Sequence, residues 1–410
     1  MWRLDHASVT GKLDVHVFGS LLPNIRQHQR LPHESLPAPR RSEHKIPMNF
    51  KLTLAIAASM LAFGQVAHAG PSIDQYVTFS GFGTLGEVHS NYSQADFVGS
   101  LVQPRGVGYT NSWSLTPDSN LGVQADMHIV DRLTGVVQVI SRDDAFGNYK
   151  PRVEWANLKY DFTPDLSVRL GRTVLPTFER SDIQNVGYAL PWVRLPNEIT
   201  FANSATHSDG IDVLYRVKTG AVTQNLQLLW GSTTDNFPAS NFHATGLIVV
   251  SDTLQHGDTS VHLAYQSMMY SYGAFPPARL RIGSVGFTYD PGSWFLTGDS
   301  NYTRDGFYGD FYAWYLSSGV RLGRFTPYAV YSTTRAPSAA PPSGVTSLGD
   351  EHTVAAGLRW DFAKNLDFKL QVQRVTIDSV NLPASFANLQ PDARVGDSAN
   401  VLSLALDFVF

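Results

Sequence analysis

No cysteine occurs anywhere in the 410 residues, so neither a disulfide framework nor thiolate metal ligation is open to this chain. Charged side chains are scarce, at 16% of residues against 43% hydrophobic. Long apolar runs are missing too. Outside the N-terminal region no stretch of 18 or more apolar residues occurs, which argues against a helical membrane protein. What is plentiful is Gly (33), Tyr (17) and Phe (23). That mixture suits both secreted β-proteins and transmembrane barrels, in which only alternate residues touch lipid. The length fits one domain or two.

Residues 1–47 read differently from the rest: they are rich in His, Arg and Pro, hold no sustained period and end in HESLPAPRRSEHKIP. Met48-Asn49-Phe50-Lys51 then opens a short basic region, Leu52 to Phe63 is apolar, and Ala67-His68-Ala69 has the small-residue form of a cleavage site. Residues 48–69 therefore read as a secretory signal peptide. Residues 1–47 read as a start codon assigned too early, the alternative being a disordered extension. Residues 70–410 form the mature unit. The whole chain carries a formal charge of −4, and excising the basic leader leaves a more acidic remainder, which disfavours nucleic acid as a partner.

From residue 76 onward sixteen segments alternate in strand fashion: 76–89, 120–130, 133–142, 153–162, 165–174, 209–218, 221–230, 246–254, 259–270, 280–289, 293–303, 311–322, 325–334, 353–362, 366–376 and 400–410. Seven tight turns join them on one side and eight longer loops on the other. In the last segments Leu402, Leu404, Leu406, Phe408 and Phe410 share one face, and Ser403, Ala405 and Asp407 the other. Leu366, Phe368, Leu370 and Val372 likewise alternate with Asp367, Lys369, Gln371 and Gln373. A soluble sandwich needs its apolar faces turned inward. A closed barrel with a wet interior accepts apolar faces turned outward. Segments also finish in aromatics, with Tyr160, Phe162, Tyr289, Trp360, Phe362, Phe408 and Phe410 placed as an interfacial girdle. The pattern predicts an all-β fold: a transmembrane antiparallel up-and-down β-barrel of about 16 strands, integral to a Gram-negative outer membrane and in contact with its lipids.

Residues 176–207 form a long connection with three prolines (Pro176, Pro191, Pro196), five charges (Glu179, Arg180, Asp182, Arg194, Glu198) and the aromatics Phe178, Tyr188 and Trp192. A connection of that length tends to be functional. On the flanking strands Gln138, Arg142, Lys159, Arg169, Asp212 and Arg216 fall on the inward parity. Facing Glu179, Asp182 and Glu198 they would set a transverse field, although the same charges would also serve to pin the loop to the wall.

The stretch DLSVRLGRTVLPTFERSDIQNVGYALPWVRLPNEIT (165–200) resembles the fifth-strand-to-loop-three region of Gram-negative outer-membrane porins. VGYALPWVRLPNEI (186–199) is similar to the loop of a less characterised porin-like branch with a VGYA-x-x-WVR-x-P pattern. The resemblance implies a loop three folded into the barrel, with a basic strand cluster opposite an acidic loop. It implies a water-filled channel for passive diffusion of ions and small hydrophilic solutes, and a homotrimer. It also implies that Phe408 and Phe410 are read by the barrel assembly machinery. Arg172 matches the family's basic position after Leu-Gly, yet its parity opposes that of Arg169. The Pro-Glu-Phe-Gly-Gly-type loop tip of the general porins is lacking, which leaves loop shape and pore width open.

Gly81-Phe82-Gly83-Thr84-Leu85-Gly86 matches a dinucleotide fingerprint, but a polar loop rather than a helix follows, so the glycines read as a curved first strand. No G-x-S-x-G or H-E-x-x-H pattern occurs, the histidines show no ligand spacing, and no cofactor or metal is expected. Three alternatives stay open: a substrate-specific channel, an adhesin with its information in outer loops such as 91–117, and an outer-membrane enzyme. The enzyme would need a serine, a histidine and an orienting polar group brought together by the fold.

Overall fold

Period-two alternation puts successive side chains on opposite faces of a strand, so each segment presents one stripe to lipid and one to the opposite side. In the computed structural model, which describes residues 76–202, 205–238, 241–336 and 349–410, every one of the sixteen segments is a strand. The extension 1–47 and the signal peptide 48–69 lie outside the described residues. The strands are β1 (Val77–Ser90), β2 (Asn120–Val130), β3 (Leu133–Arg142), β4 (Arg152–Asp161), β5 (Leu166–Val174), β6 (His207–Thr219), β7 (Val222–Asn236) and β8 (Asn241–His256). They continue as β9 (Thr259–Tyr272), β10 (Ala278–Tyr289), β11 (Trp294–Asp305), β12 (Gly309–Val320), β13 (Phe325–Arg335), β14 (Glu351–Ala363), β15 (Leu366–Ile377) and β16 (Ser398–Val409).

Each strand pairs antiparallel with its chain neighbours, and β1 pairs with both β2 and β16, which closes the ring. Among the described residues the barrel takes one extra two-residue strand, Trp113–Ser114, beside β1. A separate small sheet joins Asp96–Phe97, Val107–Gly108 and Phe386–Ala387. Several strands outrun the apolar alternation. β7 and β8 extend through polar Ser232–Asn236 and Asn241–His243, and their registers shift near Gly231 and Thr245. Ladder hydrogen bonds continue past the lipid, and a bulge breaks the period that would reveal it.

The glycine run is part of the closing seam. Register sets Gly83 opposite Phe408, and Gly81 exchanges both backbone hydrogen bonds with Phe410 at 3.0 Å. A Cβ on Gly81 would lie 2.3 Å from the Phe410 ring and one on Gly83 2.5 Å from that of Phe408. The two rings stack at 6.5 Å and occupy the space these glycines leave. The aromatic girdle is present in the Tyr160–Phe162, Tyr289–Trp294 and Trp360–Phe362 contacts near the tight-turn rim. Exposed Leu158, Leu170, Ile211, Leu228, Val354 and Val372 line the outward stripes.

Candidate functional site

The polar stripes hold the chemistry, and the segment between β5 and β6 is where they converge. Prolines at 176, 191 and 196 interrupt regular structure there, leaving one 3₁₀ turn (Gly187–Ala189) and one short helix (Asn197–Thr200). Its backbone must then find partners elsewhere, and it finds them on strands far along the chain. The Pro176 carbonyl meets His262 of β9 at 3.2 Å, and Glu179 accepts from Thr288 of β10 at 2.8 Å. Trp192 donates to Ser317 of β12 at 2.7 Å and is wholly buried against Tyr315. Arg359 of β14 donates to the carbonyls of Tyr188 (2.8 Å) and Leu190 (3.0 Å). Lys369 of β15 donates to that of Gly187 at 2.7 Å. Leu190, Trp192 and Ile199 pack in one apolar cluster with Phe295, Tyr328 and Ala355.

Lys369 is the centre of the tightest network. Fully buried, it pairs with Asp407 at 2.8 Å and Asp367 at 3.5 Å, and Arg359 reaches Asp367 at 3.1 Å. Asp407 also accepts from Thr84 across the closing seam. Two cations thus face two buried carboxylates while spending further N–H groups on the segment's carbonyls. The sequence reading missed Arg359 and these roles for Asp367, Lys369 and Asp407. The signal was available: adjacent inward positions 367 and 369 carry opposite charges on an otherwise uncharged stripe.

The structure sorts the expected site residues into four groups. Arg194 is an anchor: it grips Asp118 with two hydrogen bonds (2.6 and 2.5 Å), reaches Gln373 (2.8 Å) and Ser403 (2.6 Å), and lies 5.0 Å over the Phe97 ring. Arg180 is also an anchor, between Thr288, Thr297 and the Trp192 ring. Arg169 and Asp212 neutralise each other on β5 and β6, with Gln227 adding a bond to Asp212 at 3.0 Å, and Lys159 pairs with Asp161 at 2.8 Å. Of the strand cations expected at the site, Arg142 alone reaches the segment, donating to Asn185 at 2.9 Å. Asp182 and Arg216 are exposed, and Glu179 is half-buried.

Two positions differ from the expected field. Arg172 stays on the parity of exposed Leu170 and forms a bidentate pair with Asp209 (2.8 and 2.7 Å), so it faces away from Arg169. Gly171, at φ 124°, does not reset the register. Glu198 is 1% exposed and turns into the wall rather than toward open space. It lies beside Ser332 and Thr353 and near Glu351, whose carboxylate accepts from Ser385 at 2.6 Å. The sequence reading set Glu198 facing the strand cations, whereas the short helix rolls it against β13 and β14.

Burial pushes the Glu198 carboxyl above its usual range, and the neighbouring hydroxyls only partly offset this. A carboxyl whose folded-state value is raised stabilises the anchored turn fully below the ordinary carboxylate range. That stabilisation is lost as pH rises through the window between the two values. Glu198→Gln is therefore expected to remove a rise in single-channel current noise that wild type should show as pH climbs above the ordinary carboxylate range. Identical noise–pH curves for the two proteins would sink this assignment.

A cavity of about 260 Å³ opens between the segment and the long-loop ends of the strands, with Arg142, Arg152, Asp235, Phe178, Phe201 and Tyr272 on its walls. Charge of both signs and aromatic surface meet in it. Among the described residues no group of three His, Cys, Asp or Glu is placed to hold a metal ion.

The family model for Gram-negative porins matches residues 53–379. No curated protein sequence matches. Among solved structures, the outer-membrane channel DcaP of Acinetobacter baumannii aligns over 83% of this chain and 100% of its own at 14% identity, TM-score 0.57. The anion-selective porin from Comamonas acidovorans aligns over 82% and 99% at 12% identity, TM-score 0.53. OmpT of Vibrio cholerae aligns over 82% and 98% at 13% identity, TM-score 0.52. At such identities the likeness concerns the fold.

Proposed function

Because the chain belongs to the Gram-negative porin family and is an integral outer-membrane channel, we propose that residues 175–202 cross its lumen as the constriction, past which ions and small hydrophilic solutes diffuse passively. The observation that carries this reading is the span of contacts. A segment that leaves β5 and is held by β9, β10, β12, β14 and β15 bridges a closed ring, and every partner lies on a polar stripe. Most of its anchors fall on β9–β16, the exceptions being Asp118 and Arg142, so the passage lies on the side of β2–β7, along Gln124, Asp126, Lys159, Arg169 and Arg216. The unneutralised acids of the constriction are Asp182 and Glu179, opposed by Arg142 and Arg216.

In the same reading no chemical step is performed on the solute, residues 48–69 direct export, and Phe408 and Phe410 are read by the assembly machinery. OmpT of Vibrio cholerae has been described in a trimer form, which supports a homotrimer here. Asp182→Asn combined with Glu179→Gln is expected to shift the reversal potential in a salt gradient toward anions by a few-fold in permeability ratio, with pore size nearly unchanged. The shift should fade near 1 M salt, where screening acts within about 3 Å. Planar-bilayer recording that finds wild-type selectivity in this variant would place the constriction elsewhere.

A further inference from the structure

The outward stripes of β10 and β11 carry charge at a level where charge needs a partner. On β10, Ala278, Leu280 and Ile282 are buried, and the alternate residues Arg279 and Arg281 are exposed. Register sets Arg281 directly opposite Arg304 of β11, whose side chain is 63% exposed. Like charges facing across an antiparallel pair repel. Arg304 has Asp310 at 3.7 Å and the Tyr302 ring at 5.7 Å. Among the described residues no ion pair reaches Arg279 or Arg281. Of the three guanidinium groups only Arg304 has a carboxylate near it, and that one lies at 3.7 Å.

Their depth is informative. β10 descends from the long-loop rim to Tyr289, whose ring packs on Trp294 at 5.2 Å as part of the lower girdle. From Tyr289 back to Arg281 the strand rises roughly 26 Å at about 3.3 Å per residue. At a tilt of about 40° that is roughly 20 Å of membrane, close to the height of the apolar band of such barrels. Val285 and Phe287 occupy the band between, and Tyr302 marks its upper edge beside Arg304. The arginines stand where lipid headgroups begin, on the long-loop side, which in these barrels is the cell exterior.

We propose that Arg279, Arg281 and Arg304 form a docking surface for a phosphate-bearing lipid of the outer leaflet, its phosphate bridging Arg281 and Arg304. The guanidinium fork matches phosphate oxygens in pairs, and an anion between the two strands turns their repulsion into attraction. Exposed Tyr302 and Tyr312 flank the group and give the sugar and upper acyl region an amphipathic border.

The test is native mass spectrometry of the refolded protein in zwitterionic micelles doped with a bisphosphorylated disaccharide lipid, or with its dephosphorylated counterpart. Wild type is expected to retain the phosphorylated lipid about ten-fold more than the dephosphorylated one. The triple variant Arg279→Gln, Arg281→Gln, Arg304→Gln should lose that preference and keep wild-type conductance. Arg281→Glu is the second arm: in lipid-free zwitterionic detergent it should raise the temperature of heat modification, because it converts a like-charge pair into an ion pair, while lowering lipid retention. Equal retention of both lipids by wild type, or undiminished preference in either variant, would overturn the proposal. Displacement of the lipid by millimolar inorganic phosphate would overturn the lipid as its source.

Discussion

Excision of residues 182–198 raises the expected single-channel conductance by about two-fold or more, since a sixteen-strand barrel is an open aqueous channel unless something fills it. The cut removes Trp192, Leu190 and the apolar cluster they make with Phe295, Tyr328 and Ala355, and with them the bulk of the obstruction. It also strips Arg359, Lys369 and Asp118 of partners on the segment. Those groups would then meet water rather than a void, and Lys369 keeps Asp407 and Asp367, so the barrel is expected to persist. Liposome swelling should admit larger sugars than wild type does. A folded deletion variant with wild-type conductance and size cutoff would show that the segment does not obstruct the lumen.

Lys369→Met has the larger expected effect on stability. It leaves Asp367 and Asp407 buried beside each other with one cation gone, and leaves the Gly187 carbonyl without its donor. Breaking a buried pair by removing one partner typically costs about 3–5 kcal/mol, because the uncompensated charge stays behind. The urea midpoint of the refolded protein in lipid vesicles should fall accordingly, followed by tryptophan fluorescence. The segment should also move more, seen as frequent partial closures in single-channel records. Arg216→Gln, outside this network, is the control and should leave the midpoint unchanged. A midpoint within error of wild type for Lys369→Met would show that this network does not hold the wall together.

The strands were legible because lipid enforces the alternation: Leu366, Phe368 and Leu370, or Leu402, Leu404 and Leu406, leave little choice of structure or face. Their ends were less so, since Asn241–His243 pair in the ladder above the lipid, where no apolar stripe marks them. The candidate site was legible in position and only partly in detail. Parity alone put Arg142, Lys159, Arg169 and Asp212 on one side, and ladder register sets Lys159 opposite Arg169 and Arg169 opposite Asp212. It carried no information on pairing across the ring. Gly187 and Lys369 meet at a separation of 182 residues, and Arg194 and Ser403 at 209. No local pattern reports that Glu198 turns into the wall while Asp182 stays exposed, because a four-residue helix decides it.

The closing seam has a consequence in time. β1 cannot complete its pairing until β16 has been delivered, so the ring stays open until all the strands between them are present. The fastenings of the 175–202 segment obey the same schedule. Gly187, Tyr188 and Arg194 wait on Arg359, Lys369, Gln373 and Ser403, all in the closing part of the chain. Pairings so distant in sequence form late and slowly. During assembly the wall of this barrel is therefore nearly built before the segment is fully fastened, and the strand that seals the wall also supplies one of its holds, through Ser403.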